Sequence, residues 1–354
     1  MALPMKNFRL QRGADRFGPK QLLVVEVDLD ATRLGIVSRN GKVLKWEMAK
    51  TLPYVDDKYQ IGHESLANFL KKDEYSVGRY ASVIVNSRGS FVRLLNFSGQ
   101  PGRSEAVARE VRQTLGVDDE YDVRHRVVRR SEGKEGKNSE YAVLAAAIPR
   151  PEVEQLRGIV ADAGLTPVSL IPQGIGVANL AEISVDLMTN DKALGFLWVG
   201  NSSSMLILYA GENLALARQF KTGFNALLET VMKDYGLDEE TAAKFLASGS
   251  FDFSGNLSAA AKSWMHQVGI SLDFIERRYG QRVEDLYVLS TAAGTPVLTS
   301  AFKEAVDRNI EVWDAVSKIG IEGNPSQAGN QGLEFAIALC EARRIMQEGL
   351  NANA

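Results

Sequence analysis

The feature that most limits what this chain can fold into is an internal echo. "LLVVEVDLDATRLGIVSRNGKVLKWE", from Leu22, and "LGFLWVGNSSSMLILYAGENLALARQ", from Leu194, share one pattern without gaps when Asp28 is set against Trp198. Val27 then meets Leu197, Leu29 meets Val199, Thr32 meets Ser202, Ile36 meets Leu206, Val37 meets Ile207 and Gly41 meets Gly211. Each copy reads as strand, short polar loop, strand, a turn at Asn40-Gly41 or Ala210-Gly211, and a third strand. A three-stranded antiparallel start used twice predicts two similar lobes, and 354 residues suffice for two domains of ordinary size.

The segments after each copy extend the parallel. The first is followed by the helix-patterned "GHESLANFLKKD" and the strand "YASVIVNS". The second is followed by "GFNALLETVMKDYGL", whose Leu227, Leu228, Val231 and Tyr235 make one helical face, then by "DEETAAKFLASG" with Asp238 as N-cap. The long helix "LSAAAKSWMHQVGISLDFIERRYG", the strand "DLYVLS", the turn "TAAGTP", the stretch "AFKEAVDRN", a connector containing Pro325 and a final helix around Cys340 complete the chain. The second half reads β-β-β-α-α-α-β-α-α.

Composition narrows the chemistry. A chain 45% hydrophobic and 24% charged is that of a soluble globular protein, and a net charge of −3 gives no reason to expect nucleic acid. No apolar run approaches the roughly 18 residues of a membrane span, and the N-terminus lacks a secretory h-region, which predicts a cytosolic protein. The single cysteine, Cys340, falls at helical spacing with Leu333 and Ile337 and reads as a buried structural thiol. His63, His125 and His266 are scattered, which argues against a zinc enzyme or a histidine-based hydrolase.

Two βββαβα-type lobes resemble the actin-like ATPase superfamily, an α/β, ribonuclease H-like fold of two lobes, each on a mixed five-stranded sheet. More closely, the chain resembles the PilM family of type IV pilus assembly proteins, relatives of the cell-division protein FtsA. Order and spacing carry the resemblance from about Leu22 to Arg344, supported by "FKTGFNALLETVMKDYGLDEETAAKF", in which Gly223, Asn225, Ala242 and Lys244 match the family's positions. Between the halves of the first lobe, "SFVRLLNFSG", "SEAVAREVRQTLGV", "YDVRHRVVRR", "YAVLAAAIP" and "PEVEQLRGIVADAGL" resemble the inserted α/β subdomain called 1C. The expected division is a flexible basic N-terminus, 1–20; a first lobe, 21–96 and 171–192; the insert, 97–170; a second lobe, 193–232 and 283–354, whose last helix returns toward the first; and a subdomain 2B, 233–282.

The resemblance implies a nucleotide cleft, and the residues at its matching positions are Asp28, Asp30 and Thr32 in the first loop, Gly200, Asn201, Ser202 and Ser203 in the second, then Gly223, Lys244 and Gly294. Phosphoryl transfer in this superfamily needs a carboxylate in each first loop with a glycine beside it, so that charge is neutralised and the backbone comes close to phosphate. The first loop keeps Asp28, the one candidate metal contact, but has Asp30 in place of the glycine. The second keeps Gly200 but has Trp198 in place of the carboxylate, and indole neither binds a hydrated metal ion nor acts as a base. A later glycine pair is replaced by Thr291-Ala292, with Gly294 two positions beyond Ala292. Gly223 reads either as a glycine that presents helix N-terminal N–H groups to phosphate or as one that simply enters a helix turn.

These departures predict a pseudo-ATPase with no catalytic residues, in which ATP with magnesium is a doubtful ligand. What the resemblance then implies is a cytoplasmic scaffold, peripheral to the inner membrane, that binds the short tail of a PilN-like bitopic membrane protein in a groove between the first lobe and the insert. Pilus motor and platform proteins are further implied partners. Phe91, Arg93 and Leu95, which alternate along one strand, are the candidate groove residues, and packing within the insert is their other reading. The alternatives are an active ATPase or a sugar kinase of the same fold. The basic run Arg124, His125, Arg126, Arg129 and Arg130, with Lys134 and Lys137 nearby, reads as a solvated hairpin or as a contact for anionic lipid or an acidic hexameric motor.

Overall fold

The computed structural model describes residues 19–53, 66, 70, 78–131, 139–184, 192–248, 254–290, 298–300, 302–303, 306–323 and 333–351. The expected helix at "GHESLANFLKKD" (but for Leu66 and Leu70, both helical), the basic N-terminus, His63, Lys134, Lys137, the Pro325 connector and Gly294 with its neighbours lie outside these residues.

The first elements are β1 (Gln21–Val27), β2 (Ala31–Asn40), β3 (Val43–Pro53), β4 (Tyr80–Val85) and β5 (Phe91–Ser98). Next come α1 (Ser104–Leu115), β6 (Tyr121–Ser131), β7 (Glu140–Pro149), α2 (Arg150–Asp162), β8 (Thr166–Pro172) and α3 (Gln173–Glu182). The later part holds β9 (Ala193–Val199), β10 (Ser204–Ala210), β11 (Asn213–Phe220), α4 (Phe224–Tyr235), α5 (Glu239–Ser248) and α6 (Ser254–Tyr279). It ends with β12 (Val283–Ser290), β13 (Asn309–Val312), α7 (Ala315–Ile319), a 3-10 turn at Leu333–Phe335 and α8 (Ala336–Asn351).

Two compact units result, one of residues 1–180 and 319–354, the other of 181–318. Each is built on a five-stranded sheet, ordered β3-β2-β1-β4-β8 in the first and β11-β10-β9-β12-β13 in the second. The central strands β1 and β9 pair antiparallel with their hairpin partners and parallel with β4 and β12. Strands covered on both faces need continuous apolar sequence, which is why "ALGFLWV" is buried throughout. The hairpin turns use Gly41 and Gly211 at φ 59° and 56°, a backbone region that a side chain makes costly. The strand β13, which the sequence pattern did not predict, completes the second sheet beside β12.

Several expected boundaries shift. The insert is the three-stranded sheet β5-β7-β6 with α1 against it, spanning Phe91–Pro149 rather than 97–170. Helix α2 buries Val153, Leu156, Ile159 and Val160 in the same core as Val25, Val83 and Leu170, so it and β8 belong to the first lobe's own layers. The 319–354 segment groups with the first unit, whereas the expectation assigned it to the second lobe with its last helix returning toward the first. In the second unit α5 and α6 share one core with the sheet, through Ala242, Leu246, Trp264 and Leu272, so among the described residues no separate 2B core is found.

Helix α4 buries Phe224, Leu227, Leu228 and Val231 on one face and stops at Gly236, which takes the left-handed conformation at φ 64°. Asp238 caps α5 by accepting the N–H and hydroxyl of Thr241, as the sequence predicts. Helix α8 lies against the first sheet, and Cys340 is buried on it. Close approach is possible because Gly176 of α3 has no side chain: a β-carbon there would come 2.3 Å from Cγ2 of Ile337. The contact also has a polar node, in which Glu341, fully buried, accepts from the hydroxyls of Ser82 and Ser169 and from Arg344. Among the described residues no helix is long and apolar enough to cross a membrane.

Candidate functional site

The first unit's candidate loop is a tight turn. Val27 pairs with Thr32 across the hairpin, and the Asp28 N–H donates to the carbonyl of Ala31 at 3.0 Å. Asp28 is buried, and its oxygens accept from its neighbour's N–H at Leu29 (2.7 Å), from Asn86 Nδ2 (2.7 Å) and from Gln173 Nε2 (3.0 Å). Arg33, itself only 3% exposed, places Nη1 3.3 Å from Asp28 Oδ2. Its Nη2 lies 3.2 Å from Asp30 Oδ2, and its Nε 3.8 Å from Glu334 Oε2.

The carboxylate of Asp28 is therefore held by donors of this chain that include the cationic Arg33. Glu26 lies on the same side of the strand, with Oε1 accepting from the same Gln173 Nε2 at 2.9 Å. Burial pushes the Glu26 carboxyl up to about 7, against the downward pull of Arg33. Burial opposes the charge on Arg33 as well, but Glu26, Asp30, Asp28 and Glu334 more than reverse that and raise its pKa. Among the described residues no group of three or more His, Cys, Asp or Glu side chains is arranged to hold a metal ion. Glu26, Arg33, Asn86, Gln173 and Glu334 were not picked out by the sequence reading. The available signal was a pair of charged residues, Glu26 and Arg33, inside otherwise apolar strands.

The second unit's loop is the geometric counterpart. Val199 pairs with Ser204, and the Gly200 N–H donates to the carbonyl of Ser203 at 2.9 Å, as Asp28 does to Ala31. The structural match of Asp28 is thus Gly200, and that of Glu26 is Trp198. This corrects the gapless register, which set Asp28 against Trp198. That register matched the glycine turns, but β2 (Ala31–Asn40) is longer than β10 (Ser204–Ala210), so the loops differ by two positions.

The correction changes what Trp198 does. Its indole is 2% exposed and lies over Gly200, where a β-carbon would come within 2.3 Å of Cη2. The ring fills the side of the strand on which Asp28 stands in the other unit. Gly200 and Asn201 turn their carbonyls onto the start of α4, accepting from Phe224 N–H and Asn225 N–H at 2.9 Å each. Gly223 permits this approach, since a β-carbon there would meet the Asn201 and Gly200 carbonyl oxygens at 2.4 and 2.5 Å. Ser204 Oγ donates to the Thr222 carbonyl at 2.8 Å and pins the same junction.

A helix start binds an anion through its free N–H groups, and here two of those near the N-terminus of α4 are already paired with carbonyls. Of the two readings of Gly223, the geometry supports helix entry. Lys244 lies exposed on α5 in an i,i+4 ion pair with Glu240. In the insert, Phe91, Arg93 and Leu95 share the α1 side of β5 with Phe97, and Leu95 packs against the insert's core. Arg93 lies over the Phe91 ring at 5.3 Å, and Phe91 in turn meets Tyr121.

No family model matches the sequence, and no curated protein matches it. Solved structures do. The chain is similar to one in the "PilM-PilN type IV pilus biogenesis complex", at a TM-score of 0.69 with 18% identity over 93% of this chain and 98% of that one. The chain has the actin-like ATPase fold. More distant actin-like chains include a Bacteroides thetaiotaomicron protein of unknown function, at TM-score 0.47 with 10% identity over 87% of this chain and 98% of that one. MreB 5 of Spiroplasma citri bound to AMPPNP gives 0.48 with 10% identity over 94% and 98%.

Proposed function

We propose that this chain is a cytoplasmic actin-like scaffold of a type IV pilus, or related secretion, platform at the inner membrane, holding the short tail of a PilN-like membrane protein without turning over ATP. The observation that carries the second half is the junction of Gly200 and Asn201 with α4, where carbonyl oxygens occupy helix amides that a phosphate would need. The first half draws on the shared fold with a chain of the PilM-PilN complex over nearly its whole length.

ATP with magnesium, which the fold family implies, does not fit these residues. The loop of the second unit offers no carboxylate between Trp198 and Ser204, and a side chain at Gly200 would strike the indole. In the first unit Asp28 is neutralised by Arg33 rather than held ready for a metal. Losing one positioned electrostatic group costs about 10² to 10³ in rate, so two such departures leave little turnover.

The test is fluorescence anisotropy of a labelled N-terminal tail peptide from a PilN-like bitopic protein, titrated with the full chain in the presence and absence of Mg-ATP. Saturable binding indifferent to the nucleotide is expected. Absence of peptide binding alongside tight ATP binding, or ATP hydrolysis that disappears in Asp28→Ala, would overturn the proposal.

A further inference from the structure

The basic run on β6 has an arrangement that its sequence conceals. In a regular strand Arg124 and Arg126 share one face, and Arg129 belongs to the other. The ladder between β6 and β7 slips between Val127 and Arg129, so that Arg124, Arg126 and Arg129 stand opposite Ala146, Leu144 and Ala142. Those three partners alternate regularly along β7, which places all three arginines on one face at the spacing of alternate residues in an unbroken strand. His125 and Arg130 stand opposite Ala145 and Tyr141, on the face that carries α1. The bulge has re-aimed Arg129, a known use of such irregularities.

Strand β6 is also an edge. In the order β5-β7-β6 only one of its sides is paired, and among the described residues no strand lies along the other. Arg124 is exposed, whereas Arg126 and Arg129 are half-buried, with Nη1 of Arg126 shielded from solvent. On that face Arg124 reaches Asp122 of its own strand at 3.1 Å, and Arg129 donates across β7 to Asn96 Oδ1 of β5 at 2.8 Å.

We propose that the outer edge of β6 accepts an extended acidic peptide of a partner protein as a fourth strand, its carboxylates at alternate positions beside Arg124, Arg126 and Arg129. Backbone pairing supplies the affinity of such strand addition, and side-chain complementarity sets its register. Guanidinium groups match carboxylates bidentately, and one face of an alternating peptide brings three carboxylates to the three arginines. A lipid surface is the poorer occupant. Exposed Asp118, Asp119 and Glu120 lead into β6, and Asp122 shares the arginine face, so an anionic plane would meet acids together with the bases. This contact is separate from the tail-binding role proposed above and does not depend on it.

The experiment uses the full chain and a fluorescein-labelled octapeptide alternating glutamate with valine and threonine, with a peptide of equal composition and contiguous glutamates as the comparison. The alternating probe is expected to bind more tightly and to weaken as salt rises past the roughly 0.1 M at which exposed charges are screened over about 10 Å. The triple variant R124Q/R126Q/R129Q should lose roughly tenfold or more in affinity, whereas R130Q, on the opposite face, should bind as the parent does. Far-UV circular dichroism checks that both variants keep the fold. Equal binding of the two peptides, no binding of either, or equal loss in R130Q overturns the proposal. So does binding to vesicles of equal parts phosphatidylglycerol and phosphatidylethanolamine that disappears in the triple variant without peptide binding, which would assign the arginines to a membrane.

Discussion

The indole of Trp198 rests on the α-carbon of Gly200, with Cη2 placed 2.3 Å from where a β-carbon would be. The pair acts as one packed unit, and the two residues should be energetically coupled. Gly200→Ala alone is expected to cost about 1–3 kcal/mol by overpacking, and Trp198→Ala about 3–5 kcal/mol by cavity formation. In the double variant the added methyl has room, so the sum should exceed the measured loss by more than about 0.5 kcal/mol in urea denaturation. Simple additivity would contradict the contact.

Gly223→Ala should destabilise through a backbone clash rather than conformational preference. Its φ of −137° suits any residue, but the new methyl meets the carbonyls of Gly200 and Asn201. A loss of about 2 kcal/mol or more is expected, with the hydrogen bonds from Phe224 and Asn225 to those carbonyls loosened. Faster amide exchange at these two positions, measured by hydrogen exchange, would locate the damage.

Removing Arg33 leaves Asp28 and Asp30 without their guanidinium. Arg33→Met should therefore cost about 3–5 kcal/mol near neutral pH, the scale for breaking a buried ion pair. Urea denaturation of the variant beside the parent measures that loss. A loss below about 1 kcal/mol, the scale of an exposed pair, would show that the ion pair contributes little.

Glu26 makes stability fall as pH rises. Its carboxyl titrates at about 7 in the folded chain against an ordinary value of 4.5, so the folded form holds the proton more tightly. The favourable contribution is complete below about 4.5 and is lost as pH climbs toward 7, amounting to something on the order of 3 kcal/mol. Glu26→Gln should flatten that part of the profile in denaturant midpoints taken across pH. An unchanged slope in the variant would show that another group carries it.

Duplication and most strand positions were legible because hairpin turns and apolar runs are written locally. Register was not. In "FLWVGNSSS" and "VEVDLDAT" the apolar runs slide past one another without penalty, and only the ladder pairs Val27-Thr32 and Val199-Ser204 fix which residues correspond. The burial of Arg33 was equally hidden, since an arginine three residues after Asp30 reads as surface until Glu26, Asp28 and Glu334 are seen around it. The insert's edge at Pro149 was misplaced because α2 has the same amphipathic pattern whichever sheet it covers. Gly223 left two readings open in sequence, and only the carbonyls facing it separate them.

The node of Glu341 with Ser82 and Ser169 has a consequence for synthesis. Residues 181–318 form a continuous unit and emerge before α8, while the first sheet waits for a helix encoded after all of them. Until then Ser82, Ser169 and the face of α3 at Gly176 lack the contacts that Glu341 and Ile337 of α8 supply. The later lobe is thus free to fold first, and the earlier one closes last, by capture of its own distant helix.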